Sequence, residues 1–208
     1  MERTGIVGLT AAALALATAA PAAAQQPAVH ADLDGDGRPD AVSLVQVSES
    51  TMLLRAGMAE EVLDVEVPGN ARGTPPVPVD VNGDGRAEVL VPESVGANTI
   101  TRTAWAHSPE HGLVPLRGAD DELWRLPEGG GAGAVSTYGC TGRGAGAVLD
   151  AVSAARNEQG TFDGGLRTYR VAAGAVHLLR EVPIRGADRE DEVFGRDPAE
   201  CAPAPNQS

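Results

Sequence analysis

Apolar and polar positions alternate in short runs along most of the chain. Residues 41–47 (AVSLVQV) and 89–93 (VLVPE) are rich in valine and leucine and are bounded by Asp, Gly and Pro, a pattern that predicts strands. The order elsewhere is strand, turn, strand, and no run at helical spacing is long enough for an amphipathic helix. Three segments break this rhythm. Residues 6–20 form a predominantly apolar stretch, residues 128–134 (EGGGAGA) predict a flexible connection, and from Arg189 onward the alternation is lost and the chain ends in a Pro-rich tail, expected to be loosely ordered beyond Cys201.

Two of the predicted strands follow acidic turns of the same design. Residues 31–42 (ADLDGDGRPDAV) place Asp32, Asp34, Asp36 and Asp40 within nine positions, and residues 79–90 (VDVNGDGRAEVL) place Asp80, Asn82, Asp84 and Glu88 at the same spacing. So many carboxylates repel one another unless a positive charge sits among them. Oxygen ligands at positions one, three, five and nine, a turn-permitting Gly37 or Gly85 at six, and the carbonyl of Arg38 or Arg86 at seven suit a hard cation with many protein ligands, which points to calcium. Magnesium prefers fewer protein ligands, and zinc prefers nitrogen and sulfur, which the loops lack. An EF-hand is excluded because Ser43 and Val91 stand where its bidentate glutamate belongs, and strands rather than helices follow.

The pattern D-x-D/N-x-D-G-x-x-D/E leading into a strand resembles the calcium loops of FG-GAP or VCBS repeats, the blades of integrin-type β-propellers. The resemblance implies an all-β fold of propeller-like blades, each with about four antiparallel strands and calcium in a loop at the blade's edge. Carried over position by position, it implies Asp32, Asp34, Asp36, the Arg38 carbonyl and Asp40 as one ligand set. Asp80, Asn82, Asp84, the Arg86 carbonyl and Glu88 form the other.

A degenerate third repeat is visible in residues 142–153 (GRGAGAVLDAVS), which align Asp150 with Asp40 but put Gly142, Gly144 and Gly146 at ligand positions, so its metal site is gone. The echo of residues 114–120 (VPLRGAD) in 182–188 (VPIRGAD) predicts equivalent final strands of the second and third blades. The expected organisation is a leader over residues 1–24, a repeat domain over 25–190 with repeats at about 28–70, 71–128 and 133–190, and an acidic, Pro-rich tail over 191–208. Closed propellers need four to eight blades, so about three imply an incomplete or compact propeller-like domain.

Export follows from the leader: Arg3, the apolar stretch, then small residues at Ala22 and Ala24 ahead of Gln25, with no bilayer-spanning segment after it. In an exported chain the two cysteines, Cys140 and Cys201, are expected to pair, closing a long loop that contributes roughly 2–4 kcal/mol and fastens the tail to the third blade. All 16 basic residues are arginine, a bias matching a GC-rich bacterial genome. The net charge of −13 disfavours nucleic acid and anionic membranes, and 3% aromatic content leaves a core of Val, Leu and Ala. His107 and His111 flank Pro109 in a hairpin turn, not on a helix that would aim both at one metal, and Ser43 and Ser153 lack a nucleophile-elbow context. The acids are committed to the loops, leaving no base, nucleophile and oxyanion set. The expected function is therefore a secreted, calcium-binding, non-enzymatic module with a structural, adhesive or ligand-binding role toward an extracellular protein or glycan. The alternative is an exported hydrolase or lyase, or a domain accompanying one. Mass spectrometry of the secreted protein should find a mature chain beginning at Gln25. Recovery of Met1-initiated protein alone, in the cytosol, would contradict export.

Overall fold

The alternating runs do form strands. The computed structural model describes residues 27–203, so the leader and its cleavage point lie outside the described residues. A first antiparallel sheet holds β1 (Val29–Ala31), β2 (Asp40–Gln46), β3 (Thr51–Gly57) and β4 (Val62–Pro68) in sequence order. Strand β3 shows why the pattern works: Met52, Leu54 and Ala56 point into the core while Arg55 stays outside and pairs with Asp64 of β4.

The second repeat comprises β5 (Val77–Val79), β6 (Glu88–Val95), β7 (Thr99–Ser108), β8 (Gly112–Pro115) and β9 (Arg125–Gly129). Here β7 is flanked on one side by β6 and on the other by β8 and β9 in turn. The third is a meander of β10 (Ala134–Thr141), β11 (Val148–Arg156), β12 (Phe162–Ala172) and β13 (Ala175–Ala187). It continues the second sheet through a single register pair, Ser136 with Gly129. Every strand pair is antiparallel, and the described residues contain no α-helix, only short 3-10 turns. No helix among them is long and apolar enough to cross a membrane. The described residues are thus all-β, in open antiparallel sheets compatible with a propeller-like or sandwich domain.

The middle repeat is buried on both faces. Val89 and Val91 of β6, with Trp105 and Leu113, pack against Val42, Leu44, Met52 and Leu54 of the first sheet. Leu90, between those two valines, points the other way, toward Leu116, Trp124, Tyr138 and Leu149 on the third repeat's side. A continuous apolar run on β6 is the sequence expression of that double burial. Beyond the third repeat, Phe194 of the tail covers the outer residues Val135, Ala154 and Phe162, making an edge-on contact with the Phe162 ring.

Two expectations change. The glycine run at the end of β9 is packed rather than open: Gly129 and Gly130 have φ of +107° and +126°, and a Cβ on Gly129 would collide with the Asn98 carbonyl oxygen. Glycine is there because two backbones touch where the chain crosses from one repeat to the next. The echoed RGAD segments are also not equivalent. Residues 182–187 lie in β13, but the earlier copy leaves its strand at Pro115 and turns through Asp120 and Asp121, both at positive φ. The turn frees Arg117 to exchange backbone bonds with the β12–β13 hairpin, donating its N–H to Gly174 and accepting that of Val176.

Because Leu90 is fully buried between the second and third repeats, Leu90→Ala should destabilise the protein by about 2–5 kcal/mol, measured as a lowered urea midpoint. An unchanged midpoint would contradict the shared core.

Candidate metal centre

Each acidic turn joins two short-range partners, β1 to β2 and β5 to β6, and winds around its own carboxylates. In the first loop Asp32 accepts the N–H of Gly35 through Oδ1 (2.7 Å) and that of Gly37 through Oδ2 (2.9 Å). Asp34 Oδ1 accepts from Asp36 (3.0 Å), Asp36 Oδ1 from Arg38 (2.7 Å), and Asp40 Oδ2 from Leu33 (2.9 Å). The second loop repeats all five bonds. Asp80 accepts from Gly83 (2.7 Å) and Gly85 (3.1 Å), Asn82 Oδ1 from Asp84 (2.8 Å), Asp84 Oδ1 from Arg86 (2.8 Å), and Glu88 Oε2 from Val81 (3.0 Å). Side chains of this kind bonding backbone N–H groups two or three residues on are what bend the chain so tightly. The glycines at position four, Gly35 and Gly83, take positive φ like those at position six, a requirement the sequence reading had placed on Gly37 and Gly85 alone.

Although backbone N–H groups engage these acids, and both oxygens of Asp32, carboxylate oxygens still converge. Asp32, Asp34 and Asp40 each bring a carboxylate oxygen within 4.8 Å of the other two. Asp36 stands outside that trio but close enough for its charge to act on Asp40, whose proton affinity is raised first by burial and then by Asp34, Asp32 and Asp36, against the Leu33 N–H. In the second loop, Asn82 Nδ2 donates to Glu88 Oε1 (2.7 Å) and Asp84 Oδ2 (3.2 Å), so an amide bridges the acids there. Glu88 is buried, and burial, assisted by Asp84 and Asp80, pushes its carboxyl up to about 8. Asp80 is raised for the same leading reason.

The donor set fits a hard cation. It is all oxygen in the first loop, with three carboxylates already gathered and mutual repulsion that only a positive charge relieves. The second loop supplies the same positions, with the Asn82 amide having to turn its oxygen inward. The Arg38 and Arg86 N–H groups are engaged by Asp36 and Asp84. The Arg86 side chain reaches across to the first loop, where a Cβ on Gly35 would come within 2.9 Å of its Nε. Nothing in the spacing of the motif announces that crossing. The loops are also joined through the backbone: Ala87 N–H donates to the Asp32 carbonyl (2.7 Å) and Gly144 N–H to that of Gly83 (2.8 Å).

The third turn holds no acids at ligand positions. Asp40 pairs with Ala31, Glu88 with Val79 and Asp150 with Gly139, so the strand ladder corrects the sequence alignment: Cys140, not Gly142, occupies the place of Asp32 and Asp80, and the third turn is two residues longer than the other two. It is disulfide-bonded to Cys201, 61 residues away, as expected. Asp150 accepts the Thr168 hydroxyl (2.6 Å) and faces Arg196 Nε at 3.3 Å. Beside the second loop lies a cleft of about 630 Å³ whose walls include Asn82, Asp84, Arg86, His107, His111 and Arg117. The two histidines lie at the β7–β8 hairpin turn, and His107 Nδ1 is buried without a hydrogen-bond partner among the described residues.

Residues 32–91, spanning the first loop through the first half of β6, match the family model described as FG-GAP-like repeat. The match takes in both acidic loops and bears out the resemblance read from their spacing. No curated protein and no solved structure matches the chain significantly.

Glu88 has a testable consequence for the metal-free protein. Its carboxyl ionises near 4.5 when the chain is unfolded and near 8 when buried, so folding holds a proton that unfolding releases. That contribution to stability is whole below about pH 4.5 and is lost as pH rises through about 8. With chelator present, the melting temperature should fall between pH 5 and 8, and Glu88→Gln should flatten that slope. Equal slopes in the two proteins would show that Glu88 is not the buried acid responsible.

Proposed function

We propose that the chain is an exported, calcium-stabilised repeat module that binds an extracellular protein or glycan and catalyses no reaction. The observation that carries the metal reading is the construction of one loop twice, bond for bond, with the first gathering three carboxylate oxygens within 4.8 Å. Asp32, Asp34, Asp36, Asp40 and the Arg38 carbonyl would hold one ion. Asp80, Asn82, Asp84, Glu88 and the Arg86 carbonyl would hold the other. Calcium would supply charge neutralisation, letting buried acids stay ionised while their N–H bonds hold the turns. Extracellular modules of this sort bind at about 10⁻⁴ to 10⁻³ M, affinities suited to the calcium outside cells and too weak for the cytosol.

Export is supported by the leader pattern and by a disulfide, which persists in oxidising compartments. A binding role is supported by the cleft, whose volume lies within the roughly 300–1,000 Å³ of small-ligand sites and whose wall includes the second loop, so an ordered loop would keep the cleft in shape. The non-enzymatic reading rests on the buried acids, Asp40 and Glu88, being tied to backbone N–H groups of their own turns.

Calorimetry on the metal-stripped protein should record two calcium ions bound, and Asp34→Ala should lose one. At millimolar calcium each site should add roughly 0.4–1.4 kcal/mol, raising the melting temperature by a few degrees, with magnesium substituting poorly. No calcium uptake, together with a melting temperature indifferent to chelator, would overturn the reading.

A further inference from the structure

The tail reaches past the third repeat. Thr137 donates its hydroxyl to the Arg196 carbonyl (2.8 Å), Arg196 lies against Asp150, and Asp197 caps the turn Pro198–Cys201 by accepting the Ala199 N–H (2.9 Å). This delivers Cys201 to a position only 1% exposed, inside the core shared by the second and third repeats. There its carbonyl accepts the backbone N–H of Asp80 at 2.8 Å. Asp80 is the first acid of the second loop, and its carboxylate holds both Gly83 and Gly85. The neighbouring Glu200 carboxylate packs over Gly139 and, with Asp80, Asp84 and Arg143, borders a smaller cavity of about 270 Å³. The first loop takes its contact from elsewhere, through Ala87.

We propose that the disulfide-clamped tail is a positioning element for the second loop alone. By fixing the Asp80 backbone, Cys201 preorganises that loop's cation site, so the oxidised tail tightens calcium binding there and leaves the first loop little changed. Linkage makes the effect reciprocal: calcium held by the second loop stabilises the Cys140–Cys201 bond against reduction by the same factor. The inference rests on the calcium reading and adds a direction to it, since the two loops are otherwise built alike.

The test uses the full mature chain with glutathione as reductant. Each reduction consumes two glutathione thiols and yields the Cys140 and Cys201 thiols plus one glutathione disulfide. Saturating calcium should shift this equilibrium about tenfold toward the oxidised protein, or about 30 mV for the two-electron couple. The shift should persist in Asp34→Ala and vanish in Asp84→Ala. In parallel, calorimetry on the Cys140→Ser/Cys201→Ser protein should show one site weakened about tenfold and one unchanged. A shift that depends equally on both loops would mean that the disulfide acts only through global folding, and would overturn the proposal. So would a shift absent from a wild-type protein that binds two ions. Absence of calcium uptake by the wild type is a separate outcome, which defeats the calcium reading itself. The reduction measurement stands even where the double variant fails to fold.

Discussion

A turn that reverses the chain within nine residues leaves inward-pointing N–H groups that no sheet partner can reach. Here they are taken by carboxylates. Asp32 and Asp80 each accept two, and Asp40 and Glu88 each accept one from the residue after the first acid. Buried or part-buried donors without acceptors would cost more than the turn could gain, so the acids are needed for backbone satisfaction before any ion is considered. The same acids then crowd one another, and burial makes the crowding worse. A loop of this type therefore solves its hydrogen-bond requirement by creating an electrostatic one, and a cation answers the second requirement without disturbing the first.

That coupling places demands on the sheets. Each loop's ninth residue opens a strand, and the second of these strands, β6, is buried on both faces between the first and third repeats. The three turns are consequently brought to one end of the molecule, near enough to bond through Ala87 to Asp32 and Gly144 to Gly83. Neighbouring repeats complete one another's cores, as in other repeat architectures. Among the described residues the sheets stay open, and the outward face of the first carries the Arg55–Asp64 ion pair in solvent.

Strands and acidic loops were legible because each is encoded locally. Alternation in residues 51–57 and the continuous run in 88–92 speak directly for one-sided and two-sided burial. The five-bond loop is likewise spelled out by residues no more than seven apart. What the sequence concealed depends on residues distant in the chain. Arg86 lying against Gly35, the backbone approach of Gly129 to Asn98, and the divergence of two identical RGAD segments are all decided by how repeats stack. The last case is instructive, since the first three of the same four residues lie in a strand where β12 offers a partner, and all four lie in a turn where the chain must reach Leu116 and Trp124 of the core.

The third turn shows what the repeat can surrender. Positions one and nine of the other two hold carboxylates that grip their own loop's N–H groups. In the third turn, two residues longer, the ladder puts Cys140 and Asp150 in the corresponding places, and both hold the tail, the first covalently and the second through Arg196. The two anchor points survive with their object exchanged, so a segment lacking strand alternation is nevertheless drawn into the core at Cys201. The glycines between them can then serve the turn alone, Gly142 and Gly144 taking positive φ without any acid to orient. Loss of ligands in one loop and recruitment of the chain's end are thus a single structural change, and its effect passes to the neighbouring loop because the recruited residue also takes the N–H of Asp80.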